Sequence, residues 1–385
     1  MRHRRIVAYL EEHDLDAFVV TQADNIYYVS GFLLDVAPWE RPAACVVTRG
    51  GGAFMVLDEL STHHIRMARE RGSLAVADVV HYTEHPRSSH RTASVLDWTK
   101  LVRLGLARYG VRPRRLAADA LEPTLSPLRE GLAEADWHLA GHLLRDMRLV
   151  KSARELDLMR AAAALSDWGQ DRYAESVRAD MLVSDLDQEV TRLVLAEAAR
   201  RHGGEKVEVR VSTLAGPAAA SPHGTGAECG MRIRRGDVLV DILIVRFNGY
   251  VVENERTWFV GPPDDRQAHA YATAVEANAA AVAAMRTGAP TCAPDEAAQA
   301  VIEAAGLGDH IMHRTGHGVG ISGHEAPADM AFNYEPLRAG QVFSAEPGIY
   351  IYGLGGFRHD DTVVVGDVPE VLTHRSKRLE DQIVG

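Results

Sequence analysis

Glu253 and Glu255 stand two apart in the stretch VENERTWFVG, residues 252–261, among Val, Trp and Phe. Side chains alternate across a strand, so residues two apart point to the same side. Two carboxylates on one face repel unless a cation separates them, and that cation is either a metal ion or a cationic ligand. Four other places bring related chemistry: SPHGTG with His223; GDVLVDI with Asp237 and Asp241; HRTGHGVGISGHEAP with His313, His317, His324 and Glu325; and AEPGIY with GGFRHDD, which hold Glu346, Arg358, His359, Asp360 and Asp361. Each lies beside Gly or Pro within or at the end of a strand-like run, where sites sit on a rigid scaffold.

Two literal motif matches fail on context. His313 and His317 have the four-residue spacing of a helical zinc pair, but Gly316, Gly318 and Gly320 argue against a helix there. The G-x-G-x-x-G at 318–323 runs into HEAPADM and not into the helix of a dinucleotide-binding unit. A lone histidine is more often a satisfied polar residue than a ligand, and it is the gathering of four that favours a site. Asp237 reads as a turn residue, and Glu325 and Asp361 as solvated or paired with Arg. On an edge strand Glu253 and Glu255 would simply face water, a reading that their aromatic neighbours oppose.

The elements that must position these groups follow from length and pattern. A chain of 385 residues with 46% apolar content suggests two domains. Lys plus Arg is 42 against 53 Asp plus Glu, and the net charge of −11 argues against nucleic acid or an anionic membrane and for a small-molecule substrate. The opening MRHRRIVAYLEEHDLDAF reads as an amphipathic helix and not a signal peptide, so a cytoplasmic location is expected. Cys45, Cys229 and Cys292 form no disulfide or zinc pattern, and no apolar run approaches the ~20 residues of a membrane span.

Residues 1–147 read as α/β: a helix at 3–12, strands in DAFVV, AACVVT, AFMVL and VVHYT, and a helix at 58–71. Ser152 and Glu155 have capping-box spacing at the head of a helix over 153–176. Beyond a second helix at 184–201, residues 148–385 alternate strand-rich segments with Ala-rich helices at 265–286 and 294–305, an α+β pattern.

The order SPHG, RRGDVLVDI, NGYVVENERTWFVG, HRTGHGVGISGHEAP, QVFSAEPGIY, GFRHDD resembles the pita-bread fold of prolidases, aminopeptidase P, methionine aminopeptidase and creatinase. LDAFVVTQADNIYYVSGF and MRLVKSARELDLMRAAA resemble the amino-terminal domain and junction of the prolidase and creatinase branch. The expected architecture is α+β, a carboxy-terminal pita-bread domain behind a smaller α/β creatinase-type domain. In the metallopeptidase members the resemblance implies two metal ions held by two aspartates, a histidine and two glutamates. Laid without gaps on Gly236, Gly249 and Arg256, that pattern puts Ile242 at the first aspartate and Glu253 at the second. His317 and Glu346 keep their positions, and Asp360 replaces the second glutamate. Asp241 is one residue early, which turns it to the opposite face unless a bulge intervenes.

Creatinase, the metal-free member, carries a glutamate directly before Arg-Thr, where Glu255 stands here. That likeness implies a creatinase-like, metal-independent hydrolase without cofactor, acting on a nonpeptide C–N bond of a small zwitterionic amidine or guanidine, creatine- or ectoine-like. His223 would be the general base, Glu255 and Glu346 would hold the cationic group, and His317, His313 and His324 would orient substrate or water. Glu253, Asp360 and Arg358 would line the site. Trp39 and Arg41 in DVAPWERPAA correspond to the loop with which creatinase reaches its partner subunit's substrate, and a homodimer is implied. Two alternatives stand beside this reading. One is an Xaa-Pro dipeptidase or aminopeptidase P-like metallopeptidase with an altered site, in which Glu253, His317, Glu346 and Asp360 would hold Mn, Zn, Co or Fe. The other is a catalytically inactive pita-bread binding module.

Overall fold

The apolar run AFVV is buried at all four positions, and it forms the interior strand β1 (Ala17–Val20) of the first sheet. The computed structural model describes residues 2–34, 40–83, 98–120, 125–223, 229–327 and 329–385, which fall into two compact units, Met1–Met147 and Arg148–Gly385. The first unit holds β1, β2 (Ala44–Thr48), β3 (Ala53–Asp58), β4 (Asp78–Tyr82), β5 (Arg115–Ala118) and β6 (Asp136–Leu139), in the order β4-β3-β2-β1-β5-β6. β2 is antiparallel to β1 and β3, and the remaining pairs are parallel. Its helices are α1 (Arg2–Glu12), α2 (Ala23–Ser30), α3 (Thr62–Glu70), α4 (Trp98–Arg108), α5 (Leu125–Gly131) and α6 (Gly141–Leu149). Val19, Val46 and Val56 pack with Trp98, Val102 and Leu106 in its core. The helix expected at 58–71 begins later, because the Asp58 side chain accepts the Leu60 N–H and sets a short 3-10 turn over Glu59–Ser61 before α3.

The second unit opens with α7 (Ala153–Ser176) and α8 (Val183–Arg201). Ser152 and Glu155 form the capping box, and the Glu155 carboxylate also accepts the Tyr250 hydroxyl at 2.6 Å. A seven-stranded sheet follows: β7 (Val207–Ala215), β8 (Val238–Phe247), β9 (Tyr250–Val260), β10 (Val342–Ala345), β13 (Asp360–Val364), β14 (Glu370–Val371) and β15 (Ile383–Val384), its main path running β10-β13-β9-β8-β7. β11 (Gly348–Ile351) and β12 (Gly355–Arg358) make a separate hairpin. α9 (Asp265–Ala284) and α10 (Ala293–Ala304) pack small alanines, Ala270, Ala274, Ala277 and Ala298, with Val238, Phe259, Ile349 and Phe357.

β8 and β9 are joined by Asn248 and Gly249, with φ of 45° and 85°, the left-handed pair a two-residue hairpin turn requires. This turn fixes the ladder from Phe247↔Tyr250 to Val238↔Phe259. β9 is an interior strand, between β8 and β13, and all 11 of its residues are buried, so the edge-strand reading of Glu253 and Glu255 does not hold. Its even positions face α7: the Asn254 amide donates to Ser166 Oγ and Asp167 Oδ1, at 3.0 and 2.9 Å. The odd positions carry the two glutamates to the other side.

No bulge rescues Asp241. It pairs with Arg256 while Ile242 pairs with Glu255. Asp241 is fully buried with both carboxylate oxygens lacking a hydrogen bond of good geometry, although Gln170 lies beside it. Burial first, then the charges of Asp187 and Glu255, push its pKa well above the ordinary 3.8. The folded chain therefore keeps a proton there that the unfolded chain releases, and stability falls as pH rises above about 4. Asp241→Asn mimics the protonated form. The variant should melt at least as high as wild type near pH ~8 and lose that advantage near pH ~4. Thermal melts at the two pH values test this, and a variant that melts lower at both excludes a neutral Asp241.

Candidate active site

Register assembles the carboxylates. Asp360 on β13 pairs with Glu255 on β9, and directly opposed residues share a face, so Glu253, Glu255 and Asp360 converge. Glu346 follows β10, its N–H donating to the Thr315 carbonyl at 2.7 Å. The same segment fixes the histidine loop: the Ser344 N–H donates to the His317 carbonyl at 2.9 Å, and the His317 N–H to Ser344 Oγ at 3.0 Å. Gly316 is required by this close approach, since a Cβ there would lie 2.1 Å from the Ser344 carbonyl oxygen. No helix forms across His313 and His317.

His317 lies at the centre of the cluster. Its Nδ1 faces the Gly318 carbonyl at 3.2 Å and so carries the proton of the neutral ring. Its Nε2 points to Glu346 Oε1 at 3.1 Å and Glu253 Oε2 at 3.5 Å. The ring is stacked on exposed His324, with centroids 3.6 Å apart and planes at 17°. Burial opposes a charge on His317, but the Glu346 hydrogen bond and the Glu253 charge outweigh it and raise its pKa. Glu346 is partly buried, yet His317 and Arg358 pull it down to about 2. The other three move the opposite way. Burial, reinforced by the neighbouring carboxylates, pushes Glu253 up to about 8, Glu255 up to about 7 and Asp360 well above the ordinary range. Both Asp360 oxygens are buried without a hydrogen-bond partner. Crowded, partly protonated carboxylates with unpartnered oxygens are the donor set of an oxygen-loving cation.

Arg358 changes the reading of Glu255. Its Nε lies against Glu255 Oε2, a contact with ion-pair proximity but without the angle of a hydrogen bond. Its Nη1 donates to the Pro222 carbonyl at 2.8 Å and to Tyr350 Oη at 3.1 Å. Tyr350 Oη stands 2.8 Å from His313 Nε2, and His313 Nδ1 faces the Arg314 carbonyl at 2.7 Å. The protons are thereby ordered: the Arg314 carbonyl takes the Nδ1 proton, so Nε2 accepts from the Tyr350 hydroxyl, whose oxygen accepts from Arg358. Burial lowers the pKa of His313, consistent with a neutral ring.

The pairing of Glu255 with Glu346 around a cationic substrate is thus corrected. A buried guanidinium already meets Glu255, and His317 meets Glu346. Arg358, placed by sequence reasoning among the substrate-binding groups, is 2% exposed and committed to the protein. His223 is exposed, its ring centroid 6.5 Å from that of His313. Trp39 lies outside the described residues, and Arg41 in the first unit pairs with Glu40 at 2.6 Å.

Sequence reasoning gave no role to Tyr350, and it read Glu325 as solvated or paired with Arg, of which the pairing, with Arg148, is what the structure shows. Glu325 accepts the N–H groups of Ile321 and Ser322, at 2.6 and 3.2 Å, and meets Arg148 and Lys151 at their buried ends. It braces the turn that presents His324. The capping was the part not read, and its signal was an acid directly after a candidate histidine, in a glycine-rich turn that needs its N–H groups capped.

A carboxylate and histidine cluster on a seven-stranded sheet backed by helix pairs, following a creatinase-type α/β domain in the sequence, defines a pita-bread hydrolase. The chain belongs to metallopeptidase family M24, whose profile matches residues 157–367, and the creatinase/prolidase N-terminal domain matches residues 2–150. It is 36% identical over 354 residues to a probable dipeptidase PepE of Mycobacterium bovis, covering 91% of this chain and 88% of that protein. It is 25% identical over 367 residues to an Xaa-Pro dipeptidase of Pyrococcus horikoshii, covering 94% and 93%. Among solved structures, the dipeptidase PepE of Mycobacterium ulcerans matches with a TM-score of 0.79 and 29% identity, covering 100% of this chain and 96% of that one.

These names overturn the creatinase-like reading: the relatives are dipeptidases, and neither an amidine hydrolase nor a cofactor-free site has support. The protein is a hydrolase of a metallopeptidase family. Among the described residues two groups could hold an ion, Glu253 with His317 and His324, and Glu255 with Glu346 and Asp360, the donor atoms of each within 4.8 Å of one another. No helix among the described residues is long and apolar enough to cross a membrane.

Proposed function

We propose that the protein is a metal-dependent dipeptidase of the Xaa-Pro type. The observation that carries this reading is the convergence of Glu253, His317, Glu346 and Asp360, with His317 Nε2 turned to two carboxylates and both Asp360 oxygens unpartnered. These four residues would hold a hard divalent cation such as manganese. Bound there, such an ion supplies Lewis-acid polarisation of the scissile carbonyl and lowers the pKa of water. The chain does the rest. Glu346, held ionised by His317 and Arg358, offers the cation a full negative charge. Exposed His324 can meet the substrate's polar backbone. The Arg358, Tyr350 and His313 chain holds Glu255 and the wall behind it in one orientation.

The names of the relatives support the substrate class, a dipeptide with proline in second place. Protein stripped with chelator and reloaded with manganese should release proline from Xaa-Pro dipeptides with kcat/KM of about 10⁴ M⁻¹s⁻¹ or more. Ion-loaded protein that leaves every Xaa-Pro dipeptide intact would overturn the assignment.

A further inference from the structure

The two groups bring six donor side chains together, but they are not equally free. His317 Nε2 meets both Glu253 and Glu346, and Asp360 lies beside Glu346. Glu255 differs. Its carboxylate is held by Arg358, which is 2% exposed and fixed at its other end by the Pro222 carbonyl and Tyr350. A guanidinium stays charged at every working pH, so it cannot yield its place by losing a proton. Drawing Glu255 into a second ion's shell would strand that charge in the interior, which is strongly unfavourable. The residue opposite Glu255 in the ladder, Ile242, presents hydrocarbon on the same face, 8% exposed. A cation beside Glu255 would find no ligand on β8.

We propose that the site is mononuclear: one divalent cation sits among Glu253, His317, Glu346 and Asp360, and the Arg358 guanidinium, locked on Glu255 beside Ile242, takes the place of a second. This rests on the metallopeptidase reading and goes further, because it fixes the number of ions and names the residues that limit it. Glu255, Glu346 and Asp360 are near enough to one another to form a second triad, and it is the guanidinium that withholds Glu255 from it.

The test is a count of ions. Full-length protein, freed of metal with chelator, is titrated with manganese, and bound ions per chain are measured by calorimetry and elemental analysis, with electron paramagnetic resonance of the bound manganese. One ion per chain with the six-line spectrum of an isolated ion is expected for wild type and for Arg358→Lys. Arg358→Met, which leaves Glu255 without its partner, should take up a second ion at millimolar manganese and show an exchange-coupled spectrum. Two ions in wild type would overturn the mononuclear proposal and leave the peptidase reading standing. No bound ion in wild type would overturn both. A single ion in folded Arg358→Met would show that the guanidinium is not what excludes the second.

Discussion

Glu346→Gln should lower kcat/KM for Xaa-Pro dipeptides by about 10³-fold or more, with the fold intact, because several kcal/mol of transition-state stabilisation pass through one carboxylate. Glu346 is the group that His317 and Arg358 hold ionised, at a pKa of about 2, while the carboxylates around it are pushed upward. The amide keeps the shape and removes the charge. It loses an anionic cation ligand, and it releases His317 from the hydrogen bond that raises its pKa. Steady-state kinetics with manganese-loaded protein, alongside a circular dichroism melt, decide the matter. A variant with more than a tenth of wild-type activity would remove Glu346 from the mechanism.

Asp361→Ala should destabilise the second unit by about 3–5 kcal/mol, the range expected when one partner of a buried ion pair is removed. Asp361 lies on the face of β13 opposite Asp360. Its carboxylate accepts from Arg256 Nη2 and Thr373 Oγ1, both at 2.9 Å, and meets Lys377 Nζ. Both Asp361 and Arg256 are fully buried. The alanine variant leaves two cations facing a void. Burial opposes the charge on Asp361, but Arg256 and Lys377 overcome it and hold its pKa far below the ordinary 3.8. Its contribution is therefore complete above about pH 4 and is lost as pH falls through the depressed folded value. Denaturant unfolding followed by circular dichroism should give the full loss at neutral pH and a shrinking one in acid. A loss below about 1 kcal/mol at neutral pH would mean that the cations find other partners.

Much of this was legible in the sequence because it rests on local rules. The capping box at Ser152 and the shared face of Glu253 and Glu255 follow from spacing alone, and Asp241 faces away from Ile242 as strand parity requires. What could not be read was which charge meets which. Arg358 reaches Glu255 across 103 positions through a separate hairpin, a pairing that no periodicity encodes. Without it, Glu255 looks like an open anion awaiting a cationic substrate, and that one position drew the reading toward creatinase. The edge-strand alternative failed for a similar reason: β13, which covers that side of β9, lies a hundred residues further along the chain.

The two-residue turn at Asn248 and Gly249 also makes the site a matter of parity. Which residues of β9 meet the histidine loop is decided by how many residues separate them from the tip of the hairpin. One extra residue at that tip, in a place where most proteins tolerate insertions, would rotate the strand by a face. It would bring Asn254 and Arg256 to the cation cluster and send Glu253 and Glu255 against α7. The length of this hairpin is therefore as much a part of the chemistry as any ligand.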